Sequence, residues 1–165
     1  MSCSSHDDFD VVIQIRKISA TGEPLESLNW SPMPKPQPHV PDVNVAKHIG
    51  QQGMLRASHH VSLQAQQKNG DGDGGEGGGF PRYDHISRQP VPAGTVLPLL
   101  IPIWPVGMVF EAGEGIMLRV AGHSMCLPEV EMMRLKEPID QNRGRQVVYT
   151  GAEYDSSLVV PVIAG

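Results

Sequence analysis

Residues 9–18, with the sequence FDVVIQIRKI, decide the fold class of this chain. Apolar side chains recur at every second position, at Val11, Ile13 and Ile15. The intervening positions are mostly polar and carry Val12, Gln14 and Arg16. Because successive side chains of a strand point to opposite faces, this alternation predicts a half-buried β-strand.

Short apolar segments with turns rich in glycine and proline make up much of the remaining sequence. They are residues 53–58, 95–104, 108–110, 116–121, 145–151 and 157–163. Pro98 and Pro102 share one parity of the longest segment and cannot donate to a β-ladder, so we expect that strand at a sheet edge or beside a bulge. Many short strands without a helical apolar period predict an all-β sandwich or barrel with little helix.

The composition excludes several classes of protein. The chain has 165 residues, which is enough for one domain, and its 18 glycines and 15 prolines rule out a coiled coil or a long-helix protein. The formal net charge is −5, and three of the acids, Asp71, Asp73 and Glu76, lie in one glycine-rich stretch. The rest of the chain is nearly neutral, which argues against nucleic-acid binding because that function favours a basic face.

Two internal segments carry compositional signals of their own. Residues 31–41, SPMPKPQPHVP, predict an extended polyproline-like connector, although such a segment could also dock on a proline-recognition domain. Residues 64–80 become polar and then glycine-rich, and this composition predicts a flexible insertion.

The cysteines and the apolar runs bear on where the protein resides. Cys3 and Cys126 cannot form a disulfide framework, and two buried or idle thiols in a reducing compartment are favoured over one bridge. The first ten residues lack the basic start and apolar run of a signal peptide. Residues 96–104 are too short and too rich in proline to span a bilayer. We therefore expect an intracellular protein, cytoplasmic by default, without a membrane segment.

The strongest catalytic candidate is Ser124, within the sequence Gly122-His123-Ser124-Met125-Cys126. This sequence nearly matches the G-x-S-x-G turn that presents the nucleophile of α/β-hydrolases. Three features oppose that role: Pro128 follows where a helix should start, a cysteine occupies the last position, and no histidine follows the serine. The favoured interpretation is a loop after a strand, in which Gly122 supplies an unusual backbone angle.

Metal ligation is also disfavoured by the residue spacing. Asp71, Asp73 and Glu76 resemble a calcium loop, but the distal glutamate and the flanking helices of an EF-hand are missing. His59 and His60 together with His48 could suggest a second metal site, but the adjacent His59 and His60 would point to opposite faces of a strand. We expect no metal or cofactor site, and we interpret Arg56 as an ion-pair or hydrogen-bond donor at a strand end.

Trp30 and Trp104 allow two interpretations. Tryptophan can serve as a stacking platform for sugars on the surface of a sandwich. Burial as a core anchor is favoured here, because Trp104 ends an apolar run.

Five phrases considered together resemble one protein family. They are DDFDVVIQIRKI (7–18), GEPLESLNW (22–30), VPDVNVAKHIGQQGMLRASH (40–59), VPAGTVLPLLIPIWPVGMVFEAGEGIMLRVAGH (91–123) and RQVVYTGAEYDSSLVVPVI (145–163). The chain resembles the C-terminal jelly-roll domain of the Xaa-Pro dipeptidyl-peptidase and cocaine-esterase class of serine hydrolases, especially the fungal members.

The resemblance implies a galactose-binding-like β-sandwich over residues 7–163, with residues 64–80 inserted and the N-terminal strands incomplete. In complete members a preceding α/β-hydrolase domain carries the Ser–Asp–His triad, and it cleaves X-Pro peptides or small esters. None of those motifs occurs here, so no catalytic, cofactor-binding or metal residue carries over, and this chain alone is expected to be inactive.

The expected partner is the hydrolase domain, or a second copy through self-association, because a sandwich lacking a strand leaves backbone groups unpaired. Two alternatives remain open at this point. One is a stand-alone carbohydrate- or ligand-binding jelly roll, and the other is a minimal hydrolase that uses Ser124.

Overall fold

The computed structural model describes residues 1–3, 5–28, 47–48, 50–60, 83, 86–125 and 142–163. Within them lie seven strands: β1 (Ser2–Cys3), β2 (Asp10–Ile18), β3 (Ser27–Leu28), β4 (Lys47–His48), β5 (Gln51–Arg56), β6 (Gly115–Ala121) and β7 (Gln146–Val147). A single 3-10 turn at Ala57–His59 is the only helical element of these residues. The prediction of a mostly β chain with little helix is confirmed for this part of the chain.

Strand β2 is the middle strand of a three-stranded antiparallel sheet with the order β5-β2-β6. Its register places Val11 opposite Leu55 on β5 and Ile15 opposite Leu118 on β6. Two smaller antiparallel pairs, β1 with β7 and β3 with β4, accompany this central sheet.

Burial of β2 differs from the half-buried strand that its polarity predicts. Val12 is 2% exposed and Gln14 is completely buried, although both belong to the more polar parity. A central strand with neighbours on both sides is covered more fully than its own polarity indicates. The buried Gln14 amide oxygen accepts a hydrogen bond from Arg119 Nη1 at 3.2 Å. Satisfying a buried polar group in this way limits the cost of burying it.

The core lies on the face of β2 that carries Val11, and it includes residues from the start of the chain. It contains Cys3, Phe9, Val11, Ala57, Val91 and Leu97. Residues 91–97 pack there because their backbone bonds to the first residues of the chain, with Leu97 N donating to Met1 O at 3.0 Å and Gly94 N donating to Cys3 O at 2.7 Å. Cys3 is buried and is not in a disulfide, whereas Cys126 lies outside the described residues.

Three predicted strands are wrong. Residues 95–104, 108–110 and 157–163 have no strand structure, and of residues 145–151 only β7 is a strand. Pro98 and Pro102 have no N–H groups. To other described residues, the 95–104 segment bonds only at scattered points, such as Trp104 N to Gln52 O at 3.4 Å. A further contact comes from Tyr83, whose hydroxyl donates a hydrogen bond to Leu100 O. Burial raises the pKa of Tyr83 to about 12.

The remaining segment predictions divide into confirmed and undescribed ones. Strands β5 and β6 confirm the predicted strands at 53–58 and 116–121, although a 3-10 turn replaces the end of the former. The proline-rich residues 31–41 and the insertion at 64–80 lie outside the described residues. No helix in the described part of the chain is both long and apolar enough to cross a membrane.

Replacement of Gly53 by alanine tests how closely the 95–104 segment crosses β5. A Cβ atom at Gly53 would lie 3.0 Å from the carbonyl carbon of Pro102 and still nearer to its oxygen. Because the obstructing atoms belong to the backbone, we expect Gly53→Ala to lower the free energy of unfolding by about 1–3 kcal/mol in urea titrations.

Gly107→Ala is the matched control, because a Cβ at that position meets nothing within 4 Å. Equal stability of the Gly53→Ala and Gly107→Ala variants would contradict this packing of Pro102 on β5.

Candidate functional site

Charged and polar side chains gather where β2 begins and β5 ends. We call this group the strand-end network, and its members are Asp8, Asp10, Arg56, Ser58, Arg88 and Asn142. Asp10, the first residue of β2, is the register partner of Arg56, the last residue of β5. Sequence-distant residues thus meet because the two strands are antiparallel.

Arg56 binds Asp10 through two parallel hydrogen bonds. Its Nε donates to Oδ1 at 2.7 Å and its Nη2 donates to Oδ2 at 2.9 Å, with the Asp10 side chain 7% exposed. The hydrogen bond to Asp10 is the main reason that the pKa of Arg56 lies above its usual value. The interpretation of Arg56 as an ion-pair donor at a strand end is therefore confirmed.

Asp8 is held as a carboxylate acceptor beside this pair. Its Oδ1 accepts the backbone N–H groups of Phe9 at 3.0 Å and Ser58 at 2.9 Å, and its Oδ2 accepts the Ser58 hydroxyl at 2.7 Å. Arg88 Nε donates to the same Oδ2 at 3.2 Å. Burial alone would raise the pKa of Asp8, but these hydrogen bonds outweigh it and lower the pKa.

Asn142 connects the strand-end network to the loop after β6. Its side-chain oxygen accepts from Asp10 N at 2.7 Å, and its Nδ2 donates to Asp10 O at 2.8 Å and to Gly122 O. One amide thus satisfies three backbone groups from two segments. Sequence reasoning missed Asn142, because no local pattern indicates which distant backbone an amide will bind.

The chemistry of the strand-end network suits stabilisation better than proton transfer. A general acid or base works best with a pKa near the operating pH, whereas the Asp8 pKa is lowered and the Arg56 pKa is raised. Both groups consequently keep their charge through the neutral range. Their hydrogen bonds fasten the start of β2 to the end of β5.

Ser124 lies in the loop that follows β6, and it is partly buried. Its neighbour Met125 donates its N–H to Gln52 Oε1 at 3.4 Å, and no hydrogen bond joins Ser124 to an imidazole among the described residues. Pro128 lies outside those residues.

The interpretation of Gly122 is corrected, because this residue does not adopt a positive φ. The glycine leaves room for the Asn142 amide, since a Cβ would lie 2.8 Å from its nitrogen.

The other sequence candidates for metal binding do not come together in the described residues. His59 ends the 3-10 turn, and the adjacent His60 ring contacts Ala57 O through Nδ1 at 2.8 Å. Asp71, Asp73 and Glu76 lie outside the described residues. Within the part of the chain that the structure describes, no three potential ligands are grouped around a common point.

The interpretation of Trp104 as a buried anchor is wrong, because its side chain is 74% exposed. It begins an exposed apolar stretch, the 104–110 segment, which includes Val106, Val109 and Phe110. The segment leaves the sheet after Trp104 N bonds to Gln52 O, and at its other end Lys17 Nζ lies 5.7 Å from the centre of the Phe110 ring. Trp30 lies outside the described residues.

A second apolar surface lies on β6. Ile116, Leu118 and Val120 alternate along the strand, share the face of Ile13 and Ile15, and are 41–47% exposed. A strand over residues 116–121 was predicted from the sequence. The exposure of its apolar side chains was not, because it depends on β6 being the outer strand of the central sheet among the described residues.

Asp8→Asn tests the charge state in the strand-end network. The pKa of Asp8 is lower in the folded chain than in the unfolded chain, so the folded state favours the carboxylate. Its stabilisation is full above about pH 4, the unfolded value, and disappears as the pH falls through the folded value. We expect Asp8→Asn to cost about 1–3 kcal/mol at pH 7 and progressively less toward pH 2, measured by urea unfolding at each pH.

Asp7→Asn is the control, because the Asp7 side chain is 61% exposed and contacts Arg88 only at 3.6 Å. We expect it to change stability by about 0.5 kcal/mol or less. A pH-independent effect of Asp8→Asn, or an equal effect of both variants, would contradict the role given to Asp8.

Comparison with known families gives one match. Residues 1–159 match the X-Pro dipeptidyl-peptidase C-terminal non-catalytic domain. Searches among curated proteins and among solved structures returned no match. The family match covers nearly the whole chain, including the strand-end network and both apolar surfaces. The chain therefore belongs to the family of C-terminal non-catalytic domains of X-Pro dipeptidyl-peptidases.

Proposed function

We propose that this chain is an accessory domain that packs against an α/β-hydrolase domain and helps to shape its substrate cleft. Cleavage of X-Pro peptides or small esters is then the work of the hydrolase domain. Membership of a family described as C-terminal and non-catalytic supports this proposal, because such a domain accompanies a catalytic one. We also propose that residues 7–163 form a galactose-binding-like jelly roll in which residues 64–80 are an insertion.

The 104–110 segment carries the proposal for the contact surface. Trp104 and Val109 are 74% and 79% exposed, and Val106 and Phe110 are exposed beside them. Monomeric proteins seldom leave so many adjacent large apolar side chains in water, and such patches commonly mark interaction sites. An aromatic side chain within an apolar patch also matches the residues that dominate binding energy at interfaces.

We assign a structural role to the strand-end network. Asp8, Asp10 and Arg56 use their charges on one another and on nearby backbone groups. The same sheet carries the 104–110 segment at Gln52, four residues before Arg56. A rigid sheet holding an exposed apolar segment is the arrangement expected of a docking module.

The test combines activity with binding. The chain alone is expected to show no turnover of an X-Pro chromogenic substrate or of a small ester, and no labelling by a fluorophosphonate probe. A separately produced α/β-hydrolase domain of an X-Pro dipeptidyl-peptidase is expected to bind it in calorimetry. Val109→Asp is expected to weaken that binding by about tenfold or more, since it places a charge in an apolar contact.

Ile86→Asp is the matched control, because Ile86 is an almost fully exposed apolar side chain outside the 104–110 segment. It is expected to bind as the wild type does. Turnover or labelling that disappears in Ser124→Ala would replace this proposal with the minimal hydrolase. Equal binding by Val109→Asp and wild type would remove the 104–110 segment as the contact.

Carbohydrate binding is the second candidate, and the exposure of Trp104 favours it. An exposed indole ring offers an apolar face on which a sugar ring can stack. Binding to a panel of oligosaccharides is expected to be saturable and to be lost in Trp104→Ala, whereas Trp104→Phe retains part of it because an aromatic face remains. Unchanged binding in Trp104→Ala would exclude this platform, and Val109→Asp separates the two functions because it spares the indole.

A further inference from the structure

The outer edge of β6 is open in the described structure. Along all seven residues, Gly115–Ala121, the strand pairs with β2 on one side. On its other side the backbone has no hydrogen-bond partner among the described residues. An open edge that borders an apolar row, here Ile116, Leu118 and Val120, is a template for an added strand.

An exposed apolar segment without a partner strand is present in the same chain. Residues 157–163, SLVVPVI, belong to no helix or strand, and we call them the 157–163 arm. Val159, Val162 and Ile163 are 90%, 83% and 96% exposed. No hydrogen bond joins the arm to another described residue, and all of its side chains except the half-buried Leu158 are exposed.

The turn that precedes the arm is held by hydrogen bonds and a ring contact. Tyr154 N donates to Gly151 O at 2.8 Å, and the Tyr154 and Tyr149 rings lie 5.0 Å apart. The Ser156 hydroxyl donates to Tyr149 O at 3.4 Å. The arm therefore extends from an anchored turn, which restricts its starting point and lowers the entropy lost when it binds.

The arm and the β6 edge match in length, charge and donor pattern. Both have seven residues. Arg119 of β6 is the one ionisable side chain in the two segments. Pro161 lacks an N–H, so the residues of the other parity, Leu158, Val160 and Val162, must be those that bond to a neighbouring strand. Proline with its ring nitrogen facing outward is compatible with a strand at a sheet edge.

We propose that the 157–163 arm of one copy adds to the β6 edge of a second copy as a fourth strand of the central sheet. Reciprocal exchange of the two arms gives a two-fold dimer. The arm does not pair with β6 of its own chain in this structure, and a second copy presents the same open edge. Both parities of the arm are apolar, so either face of the added strand extends the row formed by Ile116, Leu118 and Val120.

The size of this contact predicts its strength. Each copy contributes an arm and an edge, about 14 residues, whereas a standard interface has about 20–30 residues a side. The dimer should therefore dissociate at micromolar concentration, and sedimentation velocity between about 1 and 100 µM should follow its formation. The complete chain is expected to change from monomer to dimer across this range.

Paired proline variants in the arm provide the sharpest test. Val160→Pro removes a donor on the bonding parity, and it is expected to raise the dimer dissociation constant by about tenfold or more. Val159→Pro shares the parity of Pro161, keeps every bonding donor, and is expected to dimerise as the wild type does. Neither substitution endangers the core, because the arm contributes no residue to it.

A mixing experiment tests the exchange directly. A chain ending at Ser156 retains the β6 edge but has no arm, whereas Leu118→Asp retains the arm and has a damaged edge. Each variant alone is expected to be monomeric, and an equimolar mixture is expected to form a heterodimer. Circular dichroism of Leu118→Asp confirms that it is folded, and the proline pair gives the answer independently if it is not.

Three results would overturn the proposal. A wild-type chain that remains monomeric throughout the concentration range would do so, as would a dimer that survives truncation at Ser156. Equal behaviour of Val159→Pro and Val160→Pro would also exclude pairing through the arm. A dimer lost in Val109→Asp but retained by the truncated chain would assign the contact to the 104–110 segment instead.

Discussion

The antiparallel register of β2 with its two neighbours is the constraint on which the rest of the described structure depends. It places Val11 opposite Leu55 in the core and Asp10 opposite Arg56 at the strand end. A shift by one residue would move every side chain of β2 to the other face. The apolar face and the Asp10–Arg56 pair therefore specify the same register, one through packing and the other through charge.

The two ends of the central sheet differ in the kind of side chain that they carry, and this difference follows from that register. At the strand end, Asp8 and Arg56 are held in their charged states by hydrogen bonds, and the backbone there is well satisfied. At the other boundaries, the 104–110 segment and the outer edge of β6 leave apolar side chains in water. The use of these charged groups for internal contacts agrees with membership of a family of non-catalytic domains.

Sequence reasoning located the elements whose periodicity was local. Alternation identified β2, short apolar composition between turns identified β6, and the position of Arg56 at a strand end indicated an ion-pair or hydrogen-bond donor. It failed for residues 95–104, where apolar composition suggested a strand but Pro98 and Pro102 removed ladder donors. The exposure of Trp104 and the role of Asn142 depend on tertiary contacts that no local pattern records.

The buried amide of Gln14 has a consequence for sequence divergence. Its oxygen accepts from Arg119 Nη1 across the β2–β6 pair, and Gln14 is completely buried whereas Arg119 is exposed. An aliphatic residue at position 14 would deprive the guanidinium of this acceptor, and a shorter residue at position 119 would leave the amide without this donor. Positions 14 and 119 should therefore covary among homologues, so this pair can serve as a marker for aligning distant members of the family.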